Sequence, residues 1–301
     1  MASELGTQIA PMPISDQTTQ QFTIGQCATL ACLLESTTPK PGNVHRGADF
    51  EDMTFTDFVA TAVAIGPVME TASVDRCVGA TVLEAVRASG RVTRANTNLG
   101  TVLLFAPLAV VSRDTSVVKE LPEVLARLSP QDASDVYEAI RLAGASGLGR
   151  VSEHDVHGRA PADLLDAMKV ASPRDLIARQ YVTDFHEVFQ VTVPSIVQGL
   201  ASGWSLPDSI IHTHVRLMAR FPDSLIVRKC GEEVGTTASL RARAVLDAGQ
   251  PGDQAYHTGL EDLDFWLRSD GHRRNPGTTA DLIAAGLFVG LREDLIIPPF
   301  S

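Results

Sequence analysis

Two apolar segments constrain the fold more than any other feature of this chain. Residues 101–111, "TVLLFAPLAVV", carry no charge, and 279–292 is apolar nearly all round through Leu282, Ile283, Leu287, Val289 and Leu291. Both fall short of the roughly 20 apolar residues that cross a bilayer, and the first contains Pro107. They therefore read as buried helices, with the first at the centre of the molecule. Elsewhere apolar residues return at helical spacing, and no run of alternating strands and no internal repeat interrupts them. Only 5% of residues are aromatic, whereas Ala, Leu and Val abound, a balance that favours helices.

The pattern predicts an all-α fold: a polar, flexible tail at 1–18, then a single domain over 19–301 of roughly ten or more helices. Helices are expected over 22–34, from 55 to a kink or break at Gly66-Pro67, and over 75–88, closing on Gly90. One is expected to continue from the polar cluster of "NTNLGTVLLFAPLAVVSR", and others over 117–128, 131–146, 174–190, 193–202, 207–220, 233–248, 259–269 and 279–292. Residues 147–165 read as a long polar loop.

The 301 residues carry 25 Lys plus Arg against 36 Asp plus Glu, a net charge of −11. A surface of that sign repels nucleic acid and anionic lipid, so neither is an expected partner. An anionic small substrate would need a local basic pocket or a divalent cation. Four cysteines without a CxxC pair, no basic-then-apolar leader and no spanning segment point to a soluble protein of the cytoplasm.

Polar side chains concentrate where apolar helices begin or end. The densest run is "ESTTPKPGNVHRGADFEDM", Glu35 to Met53; its lysine, fixed between two prolines, is placed to meet an anion. The others are Asn96-Thr97-Asn98, "RFPDSLIVRKCGEE" with Asp223, Arg228 and Lys229, and "RRNPGTTADL" with Asn275, Thr278 and Asp281. Helix N-termini expose free N–H groups and suit phosphate oxygens. Each cluster also has a plainer account. Thr278 and Asp281 fit a capping box, Asn96 or Thr97 an N-cap, and Arg228 and Lys229 can pair with Glu232 and Glu233. "GASGLG" (144–149) reads as a helix stop. His154, Asp155 and His157 share a loop with weak metal-binding spacing, while His212 and His214 read as structural.

These elements, with "PDSLIVRK" and "NPGTTADLIAAGLF" in this order over roughly 22–292, resemble the triphosphoribosyl-dephospho-CoA synthase family. The resemblance implies an all-α pentosyltransferase that uses ATP and 3′-dephospho-CoA. Adenine is released, and the triphosphoribosyl group is joined to the acceptor's ribose 2′-hydroxyl as a prosthetic-group precursor. Carried over by motif, Glu35 and Asp52 would be carboxylates at the reacting centre, with Asp223 as a further catalytic candidate. Glu35, Asp49, Asp52 and Asp281 would hold Mg²⁺. Lys40 and Arg228 would hold phosphate, with Lys229 and Thr278 beside them. Asn96, Asn98 and Asn275 would orient ribose or phosphate oxygens, within a substrate surface that includes Pro41, Gly42, Asn43, His45 and Thr97. The chain departs from the family pattern at Asn43-Val44-His45, at "GADFEDM" and at Asn98-Leu99, which lack an expected histidine and lysine. Those departures allow a different acceptor, for example in a one-carbon pathway using tetrahydromethanopterin; a non-catalytic nucleotide-binding helical protein is the remaining alternative. Oligomeric state is not legible.

Overall fold

Thr23 and Gln26 start the first helix reciprocally: Thr23 Oγ1 accepts from Gln26 N, and Gln26 Oε1 accepts from Thr23 N at 2.9 Å. In the computed structural model, which describes residues 21–75, 77–144, 156 and 158–300, this helix is α1, Ile24–Thr37. The tail at 1–18 and the His154, Asp155 and His157 loop lie outside the described residues, as does most of "GASGLG". Its first glycine, Gly144, ends a helix in the left-handed region at φ +56°, in agreement with the expected stop.

Helices follow as α2 (Phe55–Asp75), α3 (Val78–Gly90), α4 (Leu99–Val110), α5 (Val117–Ala126), α6 (Pro130–Ala143), α7 (Leu164–Ala171) and α8 (Leu176–Val182). A π-helical turn, Val188–Thr192, leads into α9 (Val193–Ala201). Then come α10 (Leu206–Arg220), α11 (Ser224–Cys230), α12 (Glu232–Asp247), α13 (Gln254–Arg268), a four-residue strand β1 (Ser269–His272) and α14 (Gly277–Arg292). The fold is all-α. No helix among the described residues is long and apolar enough to cross a membrane.

The two apolar segments are buried helices. Thr101–Ala109 of α4 and Leu282–Arg292 of α14 are buried without interruption, and Phe105 stacks on Phe288 at 4.8 Å. Most helices join one large apolar cluster, and α10, α12 and α13 form a second. Helix α10 is the shared wall: Ile210 and Leu217 face the first cluster, Val215 and Met218 the second.

Five local expectations need correction. α2 runs through Pro67 without ending, because Val63, whose carbonyl loses its donor, is 58% exposed and water can take it. α3 continues through Gly90 and closes on Arg91, whose N–H reaches Ala88 and Ser89 carbonyls. The helix expected at 174–190 breaks at Asp184 and Phe185, both at positive φ. Around that break the fully buried Glu187 accepts from Gln180 at 2.8 Å and pairs with Arg179 at 2.9 Å. The short α11, and the start of α7 within the supposed loop, were not anticipated.

Candidate active site

The α1 C-terminus and the turn after it build one wall of the site. Glu35 is 8% exposed and its carboxylate lies 2.9 Å from Lys40 Nζ; the Lys40 side chain is wholly buried. Nζ also donates to the carbonyls of Glu35 and Thr38, so all three ammonium protons are spent inside the protein. Sequence reasoning put Lys40 against a phosphate. The structure places it beneath Glu35 instead, folded back by the two flanking prolines onto its own turn. His214 of α10 is fully buried near Lys40; burial first and the Lys40 charge second push its pKa down to about 3, the Pro41 backbone opposing.

Gly42 fixes the turn. Its N–H donates to Asp264 Oδ1 at 2.7 Å, and Arg268 holds both Asp264 and the Asn43 carbonyl. Its φ is +78°, and an added Cβ would stand 2.8 Å from Leu267 and 2.9 Å from Pro276. Gly42→Ala is therefore expected to cost about 1–3 kcal/mol or more in urea unfolding. Asn43 then donates to Asn275 Oδ1 at 2.7 Å, tying the turn to the start of α14, while its own Oδ1 is buried without a protein partner.

Opposite Glu35, the first turns of α4 and α14 meet. Thr101 donates to Asp281 Oδ1 at 2.6 Å, and only a glycine at 100 permits the approach, since a Cβ there would lie 2.1 Å from Asp281 Oδ2. The capping-box account of Thr278 and Asp281 therefore fails: Asp281 reaches across to α4, and the first-turn N–H of Thr279 is taken by Asp223 instead. Burial pushes Asp281 up to about 8, Thr101 opposing and the charge of Glu35 adding. Cys32 lines the same cavity, and burial raises its thiol pKa first, with Glu35 and Asp281 adding to the shift.

These walls enclose a cavity of about 970 Å³. Of the anticipated residues, Glu35, Asn43, Asp52, Asn96, Thr97, Asn98, Arg228, Lys229, Asn275, Thr278 and Asp281 line it. The starts of α4, α8, α11 and α14 open on it too, and side chains hold N–H groups at each: Asn96 at Leu99, Asp175 at Ile177 and Ala178, and Asp223 at Leu225, Ile226 and Thr279. Their partial positive ends still bias the cavity toward anions, and the cations on its lining supply direct partners. Sequence reasoning missed Arg94 and Arg174, cavity-lining cations outside any motif; neither is in an ion pair among the described residues.

The charge balance is positive despite the acidic chain. Glu35 is matched by Lys40, Asp175 by Arg228 at 3.0 Å, and Asp281 holds its proton near neutrality. That leaves Arg94, Arg174 and Lys229 against Asp52, which itself sits 3.4 Å from His272 Nδ1. Burial lowers the Lys229 pKa, Asp52 partly restoring it.

Other anticipated residues serve the frame. Asp223 caps α11 through Leu225 and Ile226 and accepts from Thr279 N and Oγ1 at 2.7 and 2.8 Å, holding two cavity helices in register. Asp49 accepts from Phe55 N at the start of α2. His45 bridges to Ala48 and accepts from Gly47 N. These residues, with Pro41 and Gly42, do not line the cavity. The four carboxylates expected to cage Mg²⁺ are thus not assembled, and no group of three or more metal-ligating side chains converges among the described residues. Glu35, Asp52 and Asp281 line the cavity and Asp49 does not, so these residues form no ready-made cage for a resident ion.

The family model described as CitG, ATP:dephospho-CoA triphosphoribosyl transferase, matches residues 21–297. A stretch of 105 residues is 30% identical to a candidate 2-(5''-triphosphoribosyl)-3'-dephosphocoenzyme-A synthase of Pseudomonas fluorescens, and spans about a third of each protein (35% and 35%). The crystal structure of a candidate triphosphoribosyl-dephospho-CoA synthase from Archaeoglobus fulgidus aligns with a TM-score of 0.62 at 26% identity, covering 79% of this chain and 100% of the archaeal one. With the match running almost from end to end of an all-helical frame, the chain belongs to the ATP:dephospho-CoA triphosphoribosyl transferase family.

Proposed function

We propose that the cavity breaks the adenine–ribose bond of ATP and passes the triphosphoribosyl group to the ribose 2′-hydroxyl of 3′-dephospho-CoA. The observation that carries this reading is the pair of unlike carboxylates, Glu35 ion-paired with Lys40 and Asp281 holding its proton, within a cavity walled by helix N-termini and unpaired arginines. Two carboxyl groups whose environments differ in this way can divide acid and base work.

In the reaction the ribose C1′–N9 bond breaks and adenine leaves with the electron pair, taking a proton from the Asp281 carboxyl. The acceptor 2′-oxygen bonds to C1′, and its proton passes to the Glu35 carboxylate. Glu35 also faces the positive charge that builds at C1′ as the bond loosens. Exchange with water then restores both groups. Arg94, Arg228 and Lys229 hold the triphosphate. Asn96, Asn98, Asn275 and the unpartnered Asn43 Oδ1 orient ribose hydroxyls. Mg²⁺ enters as the companion of the nucleotide and is part of the substrate.

The test is mass analysis of dephospho-CoA after incubation with Mg²⁺ and ATP. A gain of the triphosphoribosyl mass, absent with the 2′-deoxy acceptor, supports the reading, and an unmodified acceptor contradicts it. The acid role also predicts a pH limb. Turnover should fall as pH rises through about 8, where Asp281 loses its proton, and Asp281→Asn should remove that limb together with most of the rate. Stability follows the same proton. The unfolded chain releases it at the ordinary carboxylate value of 3.8 and the folded chain holds it to about 8, so Asp281's contribution declines as pH rises between those values. Asp281→Asn should flatten that decline in urea titrations.

A further inference from the structure

The cavity has two unlike ends. Around Glu35 and Asp281 it is polar. The other end runs as an arm between α6 and the α7–α8 pair, walled by Tyr137, Ile140, Leu164, Met168, Ala171 and Ala178. The charged residues of these helices turn away from it: Glu138 pairs with Arg87, Lys169 with Asp166, and Arg141 donates to the Val156 carbonyl. Only at its mouth, between α7 and α8, do charges appear, as Arg174 and Asp175.

An apolar arm continuous with a polar centre fits a ligand of the same two-part character. The one such part of ATP is adenine, a compact base that must stay beside Asp281 to take its proton and so does not run along the arm. Dephospho-CoA has one: a nucleotide bearing the reacting 2′-hydroxyl, joined through a diphosphate to a long uncharged pantetheine chain. We propose that the arm between α6, α7 and α8 is the acceptor subsite and takes the pantetheine chain, with the diphosphate at Arg174 and the 2′-hydroxyl facing Glu35. This inference rests on the transferase reading for the identity of the acceptor.

Equilibrium binding tests it without turnover. By calorimetry, 4′-phosphopantetheine alone should compete with dephospho-CoA and not with ATP. Ala171→Trp, which fills the arm, should weaken dephospho-CoA and phosphopantetheine by about tenfold or more, while the ATP affinity stays within about twofold. Ile140→Asp repeats the test from the opposite wall should the first variant melt early, ATP binding serving as the control for folding. Unchanged dephospho-CoA affinity in the variants, failure of phosphopantetheine to compete, or weakening confined to ATP would each overturn the assignment; the last would give the arm to the departing adenine. Dephospho-CoA bound in the arm without any transfer would uphold the subsite and contradict the reaction instead.

Discussion

Glu35→Gln is expected to lower transfer by on the order of 10²–10⁴-fold in kcat, with a smaller loss in the urea midpoint because the wholly buried Lys40 keeps its charge without a counter-charge. The amide keeps the shape of the carboxylate and still offers an oxygen to Lys40 Nζ, which retains the Glu35 and Thr38 carbonyls. It removes the negative charge facing C1′ and the acceptor for the 2′-hydroxyl proton. Single-turnover kinetics beside an unfolding curve separate the two effects. Near-normal turnover would move the chemistry away from Glu35.

The second large effect is on stability. Lys40→Met should cost about 3–5 kcal/mol, because it leaves the Glu35 carboxylate, 8% exposed, without its cation. Were Lys40 a phosphate ligand in open solvent, the same substitution would weaken ATP binding and barely shift the unfolding curve. The double variant Lys40→Met with Glu35→Gln should recover part of the loss, since neither charge then stands unpaired; the coupling from the four unfolding curves measures the pair.

The contrast at Lys40 shows where the sequence stops being informative. Apolar periodicity revealed α4 and α14 because both are buried on every side, and nothing local competes with that signal. It failed at Pro67, where the exposure of Val63 decides whether a proline ends a helix, and at α11, whose seven residues are too few to display a period. At the site, the polar runs at helix starts were legible as a set. Asn96 to Asn98 and Asn275 to Asp281 lie far apart in the chain and meet because α4 and α14 pack side by side with Gly100 at the contact.

The separate roles were not legible. An aspartate that caps a helix, as Asp223 and Asp49 do, has the same sequence signature as one that meets substrate. A lysine between prolines can turn outward to an anion or inward to its own turn, and the composition of the turn is the same in both cases. Arg94 and Arg174 gave no signal because a single cation outside a motif is ordinary on any surface. Asp281 was legible only as a candidate. Its burial against α4, which sets its protonation, depends on a contact 180 residues distant in sequence.

Free adenine is the most direct measure of the central claim that this cavity divides the reaction between Glu35 and Asp281. With Mg²⁺, ATP and dephospho-CoA, chromatography should show adenine appearing in step with modified acceptor, with little or none when the acceptor is withheld. ATP that binds and yields no adenine, or yields ADP or AMP in its place, would contradict the account, because it would mean that the adenine–ribose bond is not the one this site breaks.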